Sequence, residues 1–89
     1  MVWKSTFTKH TGYTYEQIQT ARELMTEMKA NGTIGEPPYP DEQIGDYNSA
    51  NVQYIRYWNS EAEANLWHTE SKAATKISDS DCTWVLVEV

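Results

Sequence analysis

Arg56 is the residue with the most chemical potential in this chain. It is the only formal charge in the stretch Val52-Gln53-Tyr54-Ile55-Arg56-Tyr57-Trp58. If that stretch is a strand, Tyr54, Arg56 and Trp58 project from one face. A guanidinium withdrawn from water between two aromatic rings must be paired. The preferred reading is a salt bridge across strands or between subunits, for instance with Glu88, since arginine is enriched at interfaces. The alternative is a bidentate grip on a ligand carboxylate, with the aromatics stacked on the ligand's body. His10 stands where a first strand meets its turn. It reads as a partly exposed turn residue, with a general base or ligand at a cavity mouth as the alternative. His68 falls on the polar side of a helix. Neither histidine has cysteines or carboxylates around it at zinc spacing, so no metal is assigned. Cys82 reads as a small apolar core residue, and Asp79 and Asp81 as solvated loop carboxylates. There is no phosphate loop, glycine-rich fingerprint or Ser-His-Asp pattern. The sequence therefore assigns no catalytic residue and no cofactor.

The elements that must position these groups are legible in outline. Val52 to Trp58 is rich in β-branched and aromatic residues, the composition of a strand. Ser60 with Glu63 is a capping-box pattern, with the hydroxyl bonding the Glu63 amide and the carboxylate the Ser60 amide. It predicts a helix from Glu61 to about Thr75, with an inner stripe of Ala62, Leu66, Thr69 and Ala73 and Trp67 at its edge. Val2 to Lys9 alternates as a first strand. Thr14 and Gln17 form a weaker capping box before a helix over Tyr15–Ala30, whose Ile18, Ala21, Leu24, Met25 and Met28 share one face. Asn31-Gly32 supplies its stop. Glu36-Pro37-Pro38-Tyr39-Pro40 is an extended loop, since proline gives no ladder bond. Gln43 to Tyr47 is the expected short edge strand, paired back onto Val52–Trp58 through a turn at Asn48–Asn51. Cys82 to Val89 is the last strand. The order β-α-β-β-α-β predicts an α+β fold: a ferredoxin-like sandwich with both helices on one face of a four-stranded antiparallel sheet.

The segment YIRYWNSEAEANLW, together with that order, resembles the dimeric α+β barrel proteins and their antibiotic-biosynthesis monooxygenase-like members. Those proteins show an aromatic-ended strand, a capping residue and an alanine-rich helix with tryptophan. The segment is also similar, loosely, to small proteins of bacteriophages and marine microbes. The proline-rich stretch departs from the family's regular second strand. The resemblance implies a ferredoxin-like dimer. It implies, as an alternative, a cofactor-free monooxygenase- or isomerase-like enzyme for a small aromatic substrate.

Size and charge bound the rest. Eighty-nine residues make one domain, residues 1–89. A net charge of −6, from 13 acidic and seven scattered basic residues, argues against nucleic-acid binding. A single cysteine allows no internal disulfide. No signal-peptide core and no membrane-length apolar run is present, so a cytoplasmic location is expected. Eleven aromatics (four Trp, six Tyr, one Phe) are a large apolar load for so short a chain. Two helices cover one sheet face only. The expectation is that Ile55, Tyr57, Val85, Val87 and Val89 meet the helices, while Tyr54, Trp58, Trp84 and Leu86 form the uncovered face. That face, with Arg56 and His10, is the candidate ligand-binding or interface surface, and a homodimer through it is its simplest cover. The preferred function is a binding or assembly module with a possible small aromatic ligand; an acidic inhibitor or mimic is a further alternative.

Overall fold

The computed structural model describes all 89 residues. Its elements are β1 (Trp3–Lys9), α1 (Tyr15–Ala30), β2 (Glu42–Ile44), β3 (Val52–Trp58), α2 (Glu61–Thr75) and β4 (Cys82–Glu88), with a single 3-10 turn at Asp79–Asp81. The strands form one antiparallel sheet in the order β2-β3-β1-β4. Both helices cover the same face, which is the ferredoxin-like arrangement. The edge strand β2 is shorter than the Gln43–Tyr47 expected and begins one residue earlier. It pairs back onto β3 as anticipated, with Gln43 opposite Tyr54.

Local signals fix both helix starts. Thr14 and Gln17 form the complete reciprocal box at α1. At α2 only half of the expected box exists. The Ser60 hydroxyl accepts from the Glu63 amide, but the Glu63 carboxylate accepts from the Asn59 and Gly35 amides instead of the Ser60 amide. Glu63 thereby fastens the loop after α1 to the start of α2. Asn59 adds a bond from its side-chain amide to the Glu36 carbonyl, at 2.7 Å. Gly32 has a left-handed φ of +79°, which closes α1 without a Cβ penalty.

The helices lie on the face opposite to the one expected. Trp3, Ser5, Phe7 and Lys9 of β1 point toward them, flanked by Val52, Tyr54, Arg56 and Trp58 of β3 and by Cys82, Trp84 and Leu86 of β4. Tyr54, Trp58, Trp84 and Leu86 therefore sit beneath the helices, not on the open face. The open face carries Val85 and Val87, with Ile55 buried between its neighbours Thr6 and Glu42. The inner stripe of α2 is also rotated. Ala64, Trp67 and Thr75 are buried, whereas Ala62, Leu66, Thr69 and Ala73 are exposed. One cause explains both corrections. The large rings of the aromatic set fit only beneath helices that offer small residues, and Ala64, wholly buried, lets α2 approach the sheet so that its Trp67 packs with Trp58. The inner face of α1 is as expected, with Ile18, Met25 and Met28 buried.

The layer between helices and sheet changes character along β1. At one end Trp58, Trp67, Met25, Met28, Ile34 and Ala64 form the core cluster. The Trp58 indole N–H donates to the buried Ser5 hydroxyl at 2.9 Å, so that end leaves no polar atom of Trp58 unpaired. One residue pair further, Phe7 lies between Tyr54 and Trp84. There the packing opens.

Candidate ligand pocket between the helices and the sheet

The opening is a pocket with about 70 Å³ of free space. Its floor is Ser5, Phe7, Tyr54, Arg56 and Trp84; its roof is Ile18, Ala21 and Arg22 of α1 and Trp67, His68, Ser71 and Lys72 of α2. By volume it holds roughly five water-sized groups. It shares Arg22, Tyr54 and Arg56 with a shallower outer groove of about 490 Å³ between α1 and β2, where Asp41, Glu42 and Gln43 form the far wall.

Arg56 occupies the boundary. Its guanidinium donates to Asp41 at 2.9 Å and lies 5.2 Å from the Trp67 ring centroid. The salt bridge expected of Arg56 exists, but not with Glu88. Glu88 pairs with Trp3 on the far side of β1, so a whole strand separates it from β3. The partner comes instead from the segment just before β2, which no local pattern connects to β3. Arg22, on α1, lines pocket and groove alike and takes part in no ion pair.

Tyr54 supplies the odd polar atom. Its hydroxyl is shut off from solvent and has no hydrogen-bond partner. Buried hydroxyls are normally satisfied, and an unpaired one costs about 1–3 kcal/mol. Burial raises the Tyr54 pKa above its usual 10, an effect opposed by the Arg22 and Arg56 charges. Tyr13 meets the Tyr54 ring edge-on at 5.2 Å, and burial raises its pKa more strongly still.

His68 is the residue that sequence reasoning missed. Its ring stacks on Trp84, with centroids 4.1 Å apart and planes 9° from parallel, and meets Phe7 edge-on. Burial, and secondarily the Lys72 charge, lowers its pKa below 6.5, which favours the neutral imidazole. A signal was present: Ala64, Trp67, His68, Ser71 and Thr75 recur at helical spacing around the bulkiest side chain of α2. His10, the sequence candidate for a base, is not in the pocket wall. Its Nε2 lies 2.9 Å from Thr83 Oγ1. Of the other candidates, Trp84 lines the pocket, Trp58 belongs to the core, and Leu86 packs against that core.

Outside the pocket wall, the end of β1 carries a polar clip. Lys9, 3% exposed, forms an ion pair with Asp81. Asp81 also accepts from the Thr11 amide at 3.1 Å and the Thr11 hydroxyl at 2.7 Å. These bonds lower the Asp81 pKa, with the Lys9 contact the largest cause. Asp81 is thus not the free loop carboxylate expected, and Asp79 pairs with Lys72. Cys82 is half-buried. No group of His, Cys, Asp and Glu side chains is arranged to hold a metal, and no helix is long and apolar enough to cross a membrane.

No family model matches this chain, and no curated protein does. Among solved structures it is similar to an antibiotic biosynthesis monooxygenase, at 15% identity over 98% of this chain and 97% of the other, with a TM-score of 0.49. It is also similar to a conserved protein from Methanosarcina mazei Go1, at 10% identity over 99% and 93% of the two chains, again with a TM-score of 0.49. A dimeric ferredoxin-like protein of unknown function from Jannaschia sp. CCS1 aligns over 98% of this chain and 99% of its own, at 10% identity and a TM-score of 0.49. The structural neighbours of this chain are thus antibiotic biosynthesis monooxygenase-like and dimeric ferredoxin-like proteins, at low identity, and the ferredoxin-like assignment rests on the strand order and pairing given above.

Proposed function

We propose that this chain is a small-molecule-binding domain that works as a homodimer paired through its open sheet face. The pocket carries the reading: an aromatic-walled space with an unpaired, solvent-shielded tyrosine hydroxyl is poor packing and a good binding site. The pairing is supported by the valines. Val85, Val87 and Val89 are 52%, 45% and 62% exposed, a row of apolar side chains along one edge of the sheet. Exposed apolar patches mark interaction surfaces, and a closed two-fold pair is the commonest way to cover one.

Sedimentation velocity tests the pairing. The native chain is expected to sediment as a dimer, and the double substitution Val85→Asp, Val87→Asp as a folded monomer with an unchanged circular dichroism spectrum. A native chain that stays monomeric at high concentration removes the homodimer. Trp84→Asp is not a usable probe of the interface, because Trp84 lies beneath the helices.

His68 favours a second reading. A neutral imidazole in the pocket wall is placed to accept a proton from a bound molecule. The domain would then be a cofactor-free enzyme for a small aromatic substrate, and His68→Gln would abolish turnover while weakening binding far less.

A further inference from the structure

We infer that the ligand of this pocket is a small organic carboxylate. Its charged end takes the place of Asp41 beside Arg22 and Arg56, and its apolar body, no larger than one ring, lies against Trp67, His68 and Trp84. The inference rests on the ligand-binding reading above and adds the ligand's charge and class.

Four observations carry it. First, the sign of the pocket opposes that of the protein. The chain has a net charge of −6, yet Arg22, Arg56 and Lys72 line the pocket and no aspartate or glutamate does. Second, one of those cations is unspent. Lys72 is paired with Asp79 and Arg56 with Asp41, but Arg22 has no carboxylate partner. Guanidinium groups match the planar fork of a carboxylate better than an ammonium does. Third, the Tyr54 hydroxyl is a donor with no acceptor, beside the same two arginines. A carboxylate oxygen drawn between them supplies that acceptor. Fourth, the chain already holds a carboxylate against Arg56. Asp41 sits on Arg56 from the outer groove, and its side chain is 48% exposed. A half-exposed carboxylate returns to water readily, so a ligand that brings both a carboxylate and an apolar body can displace it. The body adds apolar burial that Asp41 cannot offer.

The aromatic walls favour a flat body. Trp84 and His68 stack as a rigid, nearly parallel pair, and Trp67 stands beside Arg56. Inorganic phosphate would satisfy the arginines and leave these walls unused.

The test is a titration of the whole chain at low ionic strength with sodium benzoate, with neutral benzamide as its isostere and inorganic phosphate as the bare anion. Binding is followed by calorimetry and by the fluorescence of Trp67 and Trp84. Benzoate is expected to bind at least about tenfold more tightly than benzamide, the scale of one charge-assisted contact. Arg22→Gln should weaken benzoate and leave benzamide unchanged. Asp41→Asn should tighten benzoate several-fold by freeing Arg56. Tyr54→Phe should weaken benzoate while holding the melting temperature at or above that of the native chain, because it removes a hydroxyl with no partner; a merely structural tyrosine would not separate the two readouts. Equal binding of benzoate and benzamide overturns the carboxylate and leaves the binding pocket standing. Phosphate binding as tight as benzoate overturns the organic body. Benzoate affinity unmoved in both Arg22→Gln and Asp41→Asn overturns the placement. No binding of any of the three removes the pocket reading and this inference together.

Discussion

The two ends of the layer between helices and sheet are built from the same kinds of residue and do opposite things. At the Trp58 end, an indole N–H meets the Ser5 hydroxyl, Ala64 is wholly buried, and two tryptophan rings lie 6.4 Å apart. At the Tyr54 end, a hydroxyl has no partner, the roof is lined by Ala21 and Ser71, and free space remains. Small residues at the first end let large ones interlock. Small residues at the second end leave a hole. A small domain has little stability to spare, so concentrating close packing at one end allows the other to stay open.

The largest expected effect comes from making the same substitution at both ends. Ala64→Leu places a larger side chain where no space exists, and overpacking of this kind costs about 1–3 kcal/mol. Ala21→Leu adds the same atoms into the pocket and should be neutral or stabilising by up to about 1 kcal/mol. Denaturant melts of the two variants decide the matter. Destabilisation of similar size at both ends would mean that the pocket is as tightly packed as the core, and the contrast would be lost.

That contrast was only partly legible from the residues. The element order, both helix starts and the inner face of α1 follow from local patterns: Thr14 with Gln17, Ser60 before Glu61, and Ile18-Met25-Met28 at helical spacing. The pairing of sheet faces with helices was not local. Alternation in β3 separates Tyr54 and Trp58 from Ile55 and Tyr57, but both sets are apolar, so the pattern cannot say which set lies under the helices. The choice depends on α2, where Ala62-Leu66-Thr69-Ala73 and Ala64-Trp67-Ser71-Thr75 are both helical stripes. Trp67 settles it, since the largest apolar surface dominates burial. Arg56, as the lone charge of its strand, calls for a partner, but that partner, Asp41, lies 15 positions earlier, directly after the proline-rich loop, where no local pattern points to it. Lys9 gave no signal at all, because a lysine at a strand end looks solvated until its partner Asp81 is brought from the other end of the chain.

Lys9 and Asp81 sharpen the contrast further, because past Phe7 the end of β1 is fastened with charge, whereas the Trp58 end is fastened with rings. The Asp81 pKa is lowered in the folded state, so the unfolded chain binds the proton more readily. The stability this clip supplies is therefore present above the unfolded pKa of about 3.8 and is lost as pH falls through the lower folded value. Lys9→Met removes the main cause of the shift. Its Asp81 carboxyl should titrate closer to 3.8 by carbon-detected NMR, and its melting temperature should fall less steeply on acidification than that of the native chain. Identical Asp81 titrations in the two proteins would show that Thr11, not Lys9, holds the carboxylate.

The smallest effect is expected at His68, where the open end meets physiological pH. Burial against Trp84 and Phe7 lowers its pKa, and Lys72 on the same helix adds to the effect. The unfolded chain therefore takes up the proton first, and stability declines as pH drops below the unfolded value of about 6.5. The slope is shallow, because His68 is only half-buried and water screens its charge. His68→Gln should flatten the stability profile between about pH 5 and 7. The titration itself is visible in the His68 ring proton resonances, shifted upfield by the Trp84 face. A His68 that titrates above its ordinary range would mean that the pocket favours a cation at this position. The neutral, stacked imidazole would then be lost, and with it the argument that the open end is tuned for a bound molecule and not merely left unfilled.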